Sequence, residues 1–309
     1  MNELLNVSSS PHIRSKLTTS SIMFVVIIAL LPATGFGIFN FGINALITVL
    51  VCVASCVLSE FLYNLIMKQP NTISDLSAVV TGLLLALNLP SSIPWWIAVL
   101  GSVFAIVVVK MIFGGLGQNF MNPALGARCF LLICFTARMT NFTYDGVSTA
   151  TPLAILKSGG TVNRWDMVTG FIPGTIGETS VIAIVIGAII LLLTGVISFR
   201  IPAAYLISFV AFLVLFAEQG RDPAYIAAQL AGGGLMLGAF FMATDYATSP
   251  ITDSGKVLFG ICLGVMTGIF RVFSSSAEGV SYAIIFCNLL VPLIEKITLP
   301  KCFGKGGEF

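Results

Sequence analysis

The run Val181–Leu193 contains no polar side chain, and residues 22–31 form a second such run. Strands that wall a membrane barrel alternate apolar and polar residues, so continuous runs of this kind require helices. Hydrophobic residues make up 57% of the 309 and charged residues only 9%. A soluble domain carries about 25% charged residues and could not hide this much apolar surface from water. At roughly 20 residues per crossing, the length holds about eight to eleven transmembrane helices. Lysine and arginine number 15 against 13 acidic residues, a formal charge of +2, too balanced for a nucleic-acid binder. The composition demands a lipid bilayer as partner, and the chain is expected to be an all-α polytopic membrane protein. No cleavable leader is expected, because residues 1–21 are polar and the next run lacks a small-residue cleavage site.

Apolar runs set against Gly, Pro and charged breaks predict ten segments. They fall at residues 21–40, 42–66, 74–89, 95–113, 122–137, 180–197, 201–216, 223–242, 257–272 and 277–294. The third and fifth are short, and the eighth runs into the polar Ala243-Thr244-Asp245-Tyr246. Short or interrupted segments in corresponding positions of two halves point to broken helices around a buried site. A weak internal repeat agrees. Lys110-Met111-Ile112-Phe113 before a glycine-rich turn resembles Arg271-Val272-Phe273 before Ser274-Ser275-Ser276. Gly82-Leu83-Leu84-Leu85-Ala86-Leu87 likewise echoes Gly234-Leu235-Met236-Leu237-Gly238-Ala239, although Leu/Gly-rich helices also resemble one another by chance. Five segments per half would make the halves inverted in the membrane.

With the N-terminus cytoplasmic, nine of the fifteen basic residues fall inside and five outside, with Arg128 within the fifth segment. That bias places both termini in the cytoplasm of an inner-type membrane. The expected organisation is then a cytoplasmic segment 1–20, a first membrane half 21–138, an extracytoplasmic loop 139–179, a second half 180–296 and a cytoplasmic tail 297–309. Cys52 and Cys56 share a helix face but lack two further ligands at a metal-site spacing, and the single His12 argues against bis-histidine haem.

The extracytoplasmic loop carries Asp145-Gly146-Val147-Ser148-Thr149-Ala150-Thr151-Pro152, a hydroxyl-rich turn with an acidic start and a proline exit. On physical grounds alone, this is a hydrated turn that leaves its hydroxyls accessible. The pattern also resembles the flavinylation motif, Asp-x-x-Ser/Thr-x-Ala-Thr. There a flavin transferase esterifies the last threonine hydroxyl, here Thr151, with the phosphate of FMN, with Asp145, Ser148 and Ala150 as the other motif positions.

The remaining motifs resemble the D-subunit family of the Rnf complex, the ion-translocating ferredoxin:NAD⁺ oxidoreductase. They are Ser9-Ser10-Pro11-His12-Ile13, Thr81-Gly82-Leu83-Leu84-Leu85-Ala86-Leu87-Asn88-Leu89-Pro90 and Gly114-Gly115-Leu116-Gly117-Gln118-Asn119-Phe120-Met121-Asn122-Pro123-Ala124. Gly177-Glu178-Thr179-Ser180 and Met242-Ala243-Thr244-Asp245-Tyr246-Ala247-Thr248-Ser249-Pro250 complete the set. The B subunit of the Na⁺-translocating NADH:quinone oxidoreductase is a relative with a long N-terminal extension that this chain does not share.

The resemblance implies ten helices in two inverted five-helix repeats, similar to urea transporters. It also implies a covalent FMN on the outer side, fed by a membrane-anchored FMN-carrying subunit that is one of the other members of the complex. A second, non-covalent flavin (riboflavin in the quinone-reductase relative) would sit near the cytoplasmic side. Asn119 and Asn122 are its expected contacts, because two glycines and two asparagines at a helix mouth let backbone approach a planar ring and hydrogen-bond its edge. The plainer reading of Asn122-Pro123 is a helix start.

Ionisable residues inside a bilayer are expensive and point to function. Arg128 could stabilise a reduced flavin or a phosphate, or pair locally with carbonyls at the membrane edge. Glu60, Asp75 and Asp245 could line an ion route, but each lies near a segment end and reads first as a capping or snorkelling group. Glu178 reads as a charge at the N-terminus of the sixth segment, and Trp95 and Trp96 as interfacial anchors. The expected function is a flavoprotein subunit relaying electrons across the membrane, coupled to Na⁺ or H⁺ movement and inactive alone. The rival is a channel or transporter for a small polar solute, which would have no use for the motif ending at Thr151.

Overall fold

A computed structural model describes residues 18–144, 147–148, 151–158, 160, 162–274 and 279–300. Helix α1 (Thr19–Phe41) starts in a capping box, in which the Thr18 hydroxyl accepts from the Ser21 amide at 3.2 Å and the Ser21 hydroxyl accepts from the Thr18 amide at 3.0 Å. Gly42, with φ of 70°, turns the chain directly into α2 (Ile43–Ile66). These two, with α13 (Asp253–Phe273) and α14 (Val280–Thr298), are long and apolar enough to cross a membrane. The pair α11 (Pro223–Ala231) and α12 (Leu235–Met242), bent by 62°, makes a fifth if counted as one span. Shorter apolar helices complete the bundle: α3 (Ser77–Leu87), α4 (Trp95–Met111), α5 (Pro123–Cys134), α9 (Val181–Leu193) and α10 (Arg200–Phe216). Between α5 and α9 lie only one-turn helices, α6 (Thr136–Met139), α7 (Pro152–Lys157) and α8 (Arg164–Thr169), and a two-residue ribbon, β1 (Thr143–Tyr144) with β2 (Val147–Ser148).

Each expected segment has a helical counterpart, with revised ends that have local causes. The third shrinks to α3 because Leu76 adopts φ of 63°, a left-handed conformation that a helix cannot pass through. Asp75 then caps the new start, accepting from the Ser77 amide at 2.8 Å. The eighth breaks at Gly232, Gly233 and Gly234, the last two with φ of 62° and 67°. A Cβ on Gly233 would sit 2.3 Å from Leu153 Cδ1, and one on Gly234 would sit 2.3 Å from Glu178 Oε1, so both backbones must stay bare. The sixth ends at Leu193, where Gly195 turns the chain with φ of 69°.

The short helices α3 and α12 approach each other through their C-terminal ends, with Asn88 Nδ2 3.8 Å from Met242 Sδ. Carbonyls left open at the end of α3 are taken by an extended segment. The Gly177 amide donates to Leu87 O at 2.8 Å and the Ile176 amide to Leu89 O at 3.1 Å. Elsewhere small residues set the packing. Gly260, Gly264 and Gly268 line one face of α13 and bring it against the backbone of α10 at Ile201, Tyr205 and Phe209. A hydrogen bond of 2.6 Å between the Tyr205 and Thr267 hydroxyls closes the same interface. Large apolar side chains such as Phe39, Ile66, Leu193 and Ile207 point away from the protein, as a surface solvated by lipid requires.

Candidate functional site

Two buried charge pairs and two clefts organise the interior. Lys110 interrupts the apolar run of α4 and is only 2% exposed. Its Nζ donates to Glu60 Oε2 on α2 at 2.6 Å and to the Ser77 hydroxyl at the start of α3 at 2.5 Å. Glu60 is fully buried, and its other oxygen accepts from the Thr72 hydroxyl at 2.6 Å. Every ligand of the pair is thus a hydrogen bond, the condition under which a charge tolerates burial.

This lysine forms part of the wall of a small cavity with room for about 70 Å³. Met23 and Val26 of α1, Thr81 and Leu84 of α3, and Phe241 of α12 supply much of its apolar surface. Asn119, Asn122, Asp245 and Tyr246 close its polar end. An adjoining cleft of about 630 Å³ shares Asn119, Asp245 and Tyr246 and continues along α14 to Glu295. Asp245 is half-buried. Burial pushes its carboxyl above the ordinary range, against hydrogen bonds from the Ala247 amide and the Thr248 hydroxyl.

The predicted contacts divide. Asn122 is the N-cap of α5: its Oδ1 accepts from the Ala124 amide at 3.1 Å and the Leu125 amide at 3.4 Å. Its side chain is therefore committed to the helix start. Asn119 differs. Its Nδ2 donates to Met121 O at 3.1 Å, while its buried Oδ1 has no partner among the described residues.

A second pair occupies the centre. Arg128 on α5 is its cation. Its guanidinium donates to Glu178 Oε1 at 2.7 Å and to Asn88 Oδ1 at 2.6 Å, with both charged side chains almost fully buried. Glu178 correspondingly is not a first-turn charge of α9, whose cap is the Ser180 hydroxyl. It lies beside Gly234, the N-cap of α12, and faces that helix end instead. Glu60 likewise leaves its expected place as a snorkelling group, because Lys110 draws it inward. Asp75 does cap a helix. Cys52 and Cys56 are both buried, and the described residues contain no cluster of metal-ligating side chains.

Thr151 lines neither of the clefts that Asn119 borders. It is the N-cap of α7, partly buried, with its hydroxyl accepting from the Ala154 amide at 3.4 Å. It borders a cleft of about 300 Å³ formed with Pro173, Gly174, Glu178, Gly232 and Gly233. The described backbone places Ser148 in β2; Asp145 and Ala150 lie outside the described residues, as does His12.

Sequence reasoning counted Lys110 among the basic residues on the cytoplasmic side and missed it as a wall of the cavity. The available signal was a lone lysine inside an apolar helix.

A model of the NQR2, RnfD, RnfE family matches residues 6–304. The chain is 50% identical to the D subunit of the Na⁺-translocating ferredoxin:NAD⁺ oxidoreductase complex of Acetobacterium woodii, over 98% of this chain and 97% of that one. It is 38% identical to the D subunit of the proton-translocating ferredoxin:NAD⁺ oxidoreductase complex of Clostridium ljungdahlii, over 97% and 96%. It is 34% identical to the D subunit of the ion-translocating oxidoreductase complex of Actinobacillus succinogenes, over 98% and 99%.

Proposed function

The chain belongs to the NQR2, RnfD, RnfE family, and from that premise we propose that it is the membrane-embedded D subunit of an ion-translocating ferredoxin:NAD⁺ oxidoreductase complex. In this reading it carries FMN esterified to Thr151 and a second, non-covalent flavin in the cleft beside Asn119. The chain has ten membrane segments in two inverted halves, with both termini on the cytoplasmic side of a prokaryotic inner membrane. That cleft opens toward the cytoplasm and Thr151 lies on the outer side, within reach of a flavin transferase and of an FMN-bearing partner subunit.

The observation that carries the reading is the placement of Thr151 at a cap, bordering a cleft whose glycines admit a close-fitting group. A Cβ would fill the bare backbone at Gly233. Elsewhere Asn119, whose Oδ1 has no partner among the described residues, lines a cleft of about 630 Å³, roomy enough for a planar ring. The inverted halves draw support from paired details. The short helices α3 and α12 both begin after a left-handed residue, Leu76 or Gly234. In each half a buried cation near the end of the following helix reaches back to that start. Lys110 reaches Ser77, and Arg271 reaches Gly232 O at 2.9 Å.

Flavins supply one- and two-electron transfer when bound. The residues of this chain would hold and orient such rings: Thr151 would carry the covalent group, Asn119 would contact the second, the apolar walls of α1, α3 and α12 would exclude water, and Arg128, Glu178 and Asn88 would supply fixed buried charge. Flavins on the two sides would let electrons cross the membrane, and each elementary charge so moved would be worth about 2.3 kcal/mol per 100 mV of membrane potential. That energy is available to counter-movement of Na⁺ or H⁺.

The test is Thr151→Val. Valine keeps the branched shape and offers no oxygen, so in-gel ultraviolet fluorescence of the denatured chain should vanish. Mass spectrometry of the loop peptide should show FMN minus water only in the parental chain. Ferredoxin-driven ion transport by the assembled complex should collapse. Persistent covalent flavin in the variant would move the attachment site elsewhere.

A further inference from the structure

The two half-length helices meet inside the bundle, where Nδ2 of Asn88, the C-cap of α3, lies 3.8 Å from Met242 Sδ at the end of α12. A helix C-terminus carries about half an elementary negative charge, and in a bilayer core no water screens it. Two such ends close together make a place that attracts a cation. Arg128 of α5 supplies one. Its guanidinium donates to Asn88 Oδ1 at 2.6 Å and to Glu178 Oε1 at 2.7 Å, and all three side chains are buried. The same groups stand between two openings. Glu178 lines the cleft that Thr151 borders. Asn122, whose Nδ2 donates to Met242 O at 3.5 Å, lines the small cavity beside Lys110, which adjoins the cleft at Asn119. The cleft at Thr151 shares no lining residue with either of those. Polar contacts nevertheless run from one to the other, through Glu178, Arg128, Asn88, Met242 and Asn122 in turn.

We propose that the junction of α3 and α12 is a monovalent-cation site, and that Arg128 fills it with a tethered guanidinium that seals the chain against passive cation flow. This rests on the proposed topology, in which the clefts at Thr151 and at Asn119 open to opposite faces of the membrane. A complex that couples electron transfer to ion movement loses its gradient through any polar path left open between those faces. The path through this chain holds a buried carboxylate and two helix C-termini, all of which would draw in Na⁺ or a hydrated proton. A fixed positive charge at the same place repels them, as an arginine or the positive end of a half-helix does in a pore that excludes cations and protons. The guanidinium stays charged at every pH the protein meets, so the seal does not titrate. Glu178 is the counter-charge that lets the arginine be buried there. An apolar side chain would fill the space but leave the carboxylate and the helix ends unanswered.

The experiment uses the assembled complex in proteoliposomes, without ferredoxin or NAD⁺, and follows passive uptake of radioactive Na⁺ and the decay of an imposed pH step. Arg128→Ala/Glu178→Gln removes the guanidinium without stranding a buried carboxylate. Its passive flux should exceed that of the parental complex by about tenfold or more, since a rate climbs tenfold for each small step by which its barrier falls. Guanidinium ions added to the buffer should reduce that flux, because they fit the vacated place. Arg128→Lys keeps a cation and should stay as tight as the parental complex. Parental tightness in the double variant overturns the proposal. So does a leak that guanidinium leaves unchanged, because that is general loosening of the bundle. If the double variant does not assemble, Arg128→Gln/Glu178→Gln takes its place with the same expectations, and a tight membrane there overturns the proposal equally. The topology is read separately, with a membrane-impermeant maleimide and peptide mapping. Gly174→Cys lies in the cleft at Thr151, where an added Cβ meets nothing closer than 3.8 Å, and Ser249→Cys lies in the cleft at Asn119. They should be labelled from opposite faces. Labelling of both from one face would overturn the topology, and with it the need for a seal.

Discussion

Replacing Arg128 by methionine tests how the centre of the bundle is held together. The guanidinium donates to Glu178 Oε1 at 2.7 Å and to Asn88 Oδ1 at 2.6 Å. Methionine keeps the stem and deletes both bonds, leaving Glu178 charged and buried. Breaking a buried pair by removing one partner costs roughly 3–5 kcal/mol. The N-terminal end of α12 still faces the carboxylate and offsets about 1 kcal/mol of that. Glu178→Gln is milder, because arginine keeps Asn88 and an amide oxygen, and the cost is about 1–3 kcal/mol. The double change Arg128→Met/Glu178→Gln removes both charges and should be more stable than Arg128→Met alone, since neutral replacement of a whole buried pair is often tolerated. Buried Cys52, Cys56, Cys129 and Cys287 provide the assay, because a fluorogenic thiol reagent labels them only on unfolding, above a baseline set by the other three cysteines, Cys134, Cys262 and Cys302. At about 2–4 °C per kcal/mol, Arg128→Met should lower the midpoint by roughly 5–15 °C. A double variant that unfolds at or below the midpoint of Arg128→Met would refute the idea that a stranded charge is what costs the stability.

Asn119→Leu should strip the non-covalent flavin while leaving the stability within about 1 kcal/mol of the parental protein. Asn122→Leu should instead destabilise by about 1 kcal/mol, through the lost cap on α5, whatever happens to flavin. Thr151→Val should cost about 1 kcal/mol as well as the covalent flavin, because the hydroxyl caps α7; calorimetry of the unmodified chain separates the two effects. Gly264→Leu should prevent assembly of α10 on α13, because even a Cβ there would lie 2.6 Å from the Phe209 amide nitrogen; the readout is yield of monodisperse protein. Asp245 has a raised carboxyl, so its unfolded form ionises first as pH rises. Stability should be full below about pH 4, near the ordinary carboxylate value, and fall as pH climbs through the raised value. Asp245→Asn should flatten that fall in a series of thermal midpoints.

Much of the helical layout was legible because membrane helices advertise themselves by composition. Runs such as Val181–Leu193 have nothing else to become once water is excluded. The break made by glycine was not read: the eighth segment was expected to run from 223 to 242, and only its polar end at 243–246 was noticed, while the 62° bend falls at Gly232-Gly233-Gly234. Leu76 left no trace at all, because a leucine in the left-handed region is a consequence of tertiary packing and has no local signature. The start of α5 shows the opposite case. Asn-Pro is a local cap-and-first-turn signal, and Asn122 duly caps the helix, which is also why it is a weaker ligand contact than its neighbour Asn119.

The buried charges explain where sequence reading stops. Glu60 and Lys110 are fifty residues apart, as are Arg128 and Glu178, and no periodicity along one helix encodes a partner on another. A lone lysine among valines is readable as costly, and cost implies a partner, but the rule does not say which of thirteen acidic residues provides it. A place near the end of an expected segment argues for leaving Lys110, Arg271 and Glu178 at the surface. The fold overrides that reason in the same way each time: a half-length helix ends inside the protein, its backbone needs polar company, and a long charged side chain from elsewhere in the bundle supplies it. Arg271 shows this most plainly, with its guanidinium spent on the carbonyls of Gln229, Gly232 and Gly233 at the break before α12. In a chain with this pattern, a basic residue near the end of a long segment that follows a short or broken one is better read as the support of the break than as an anchor in the headgroups.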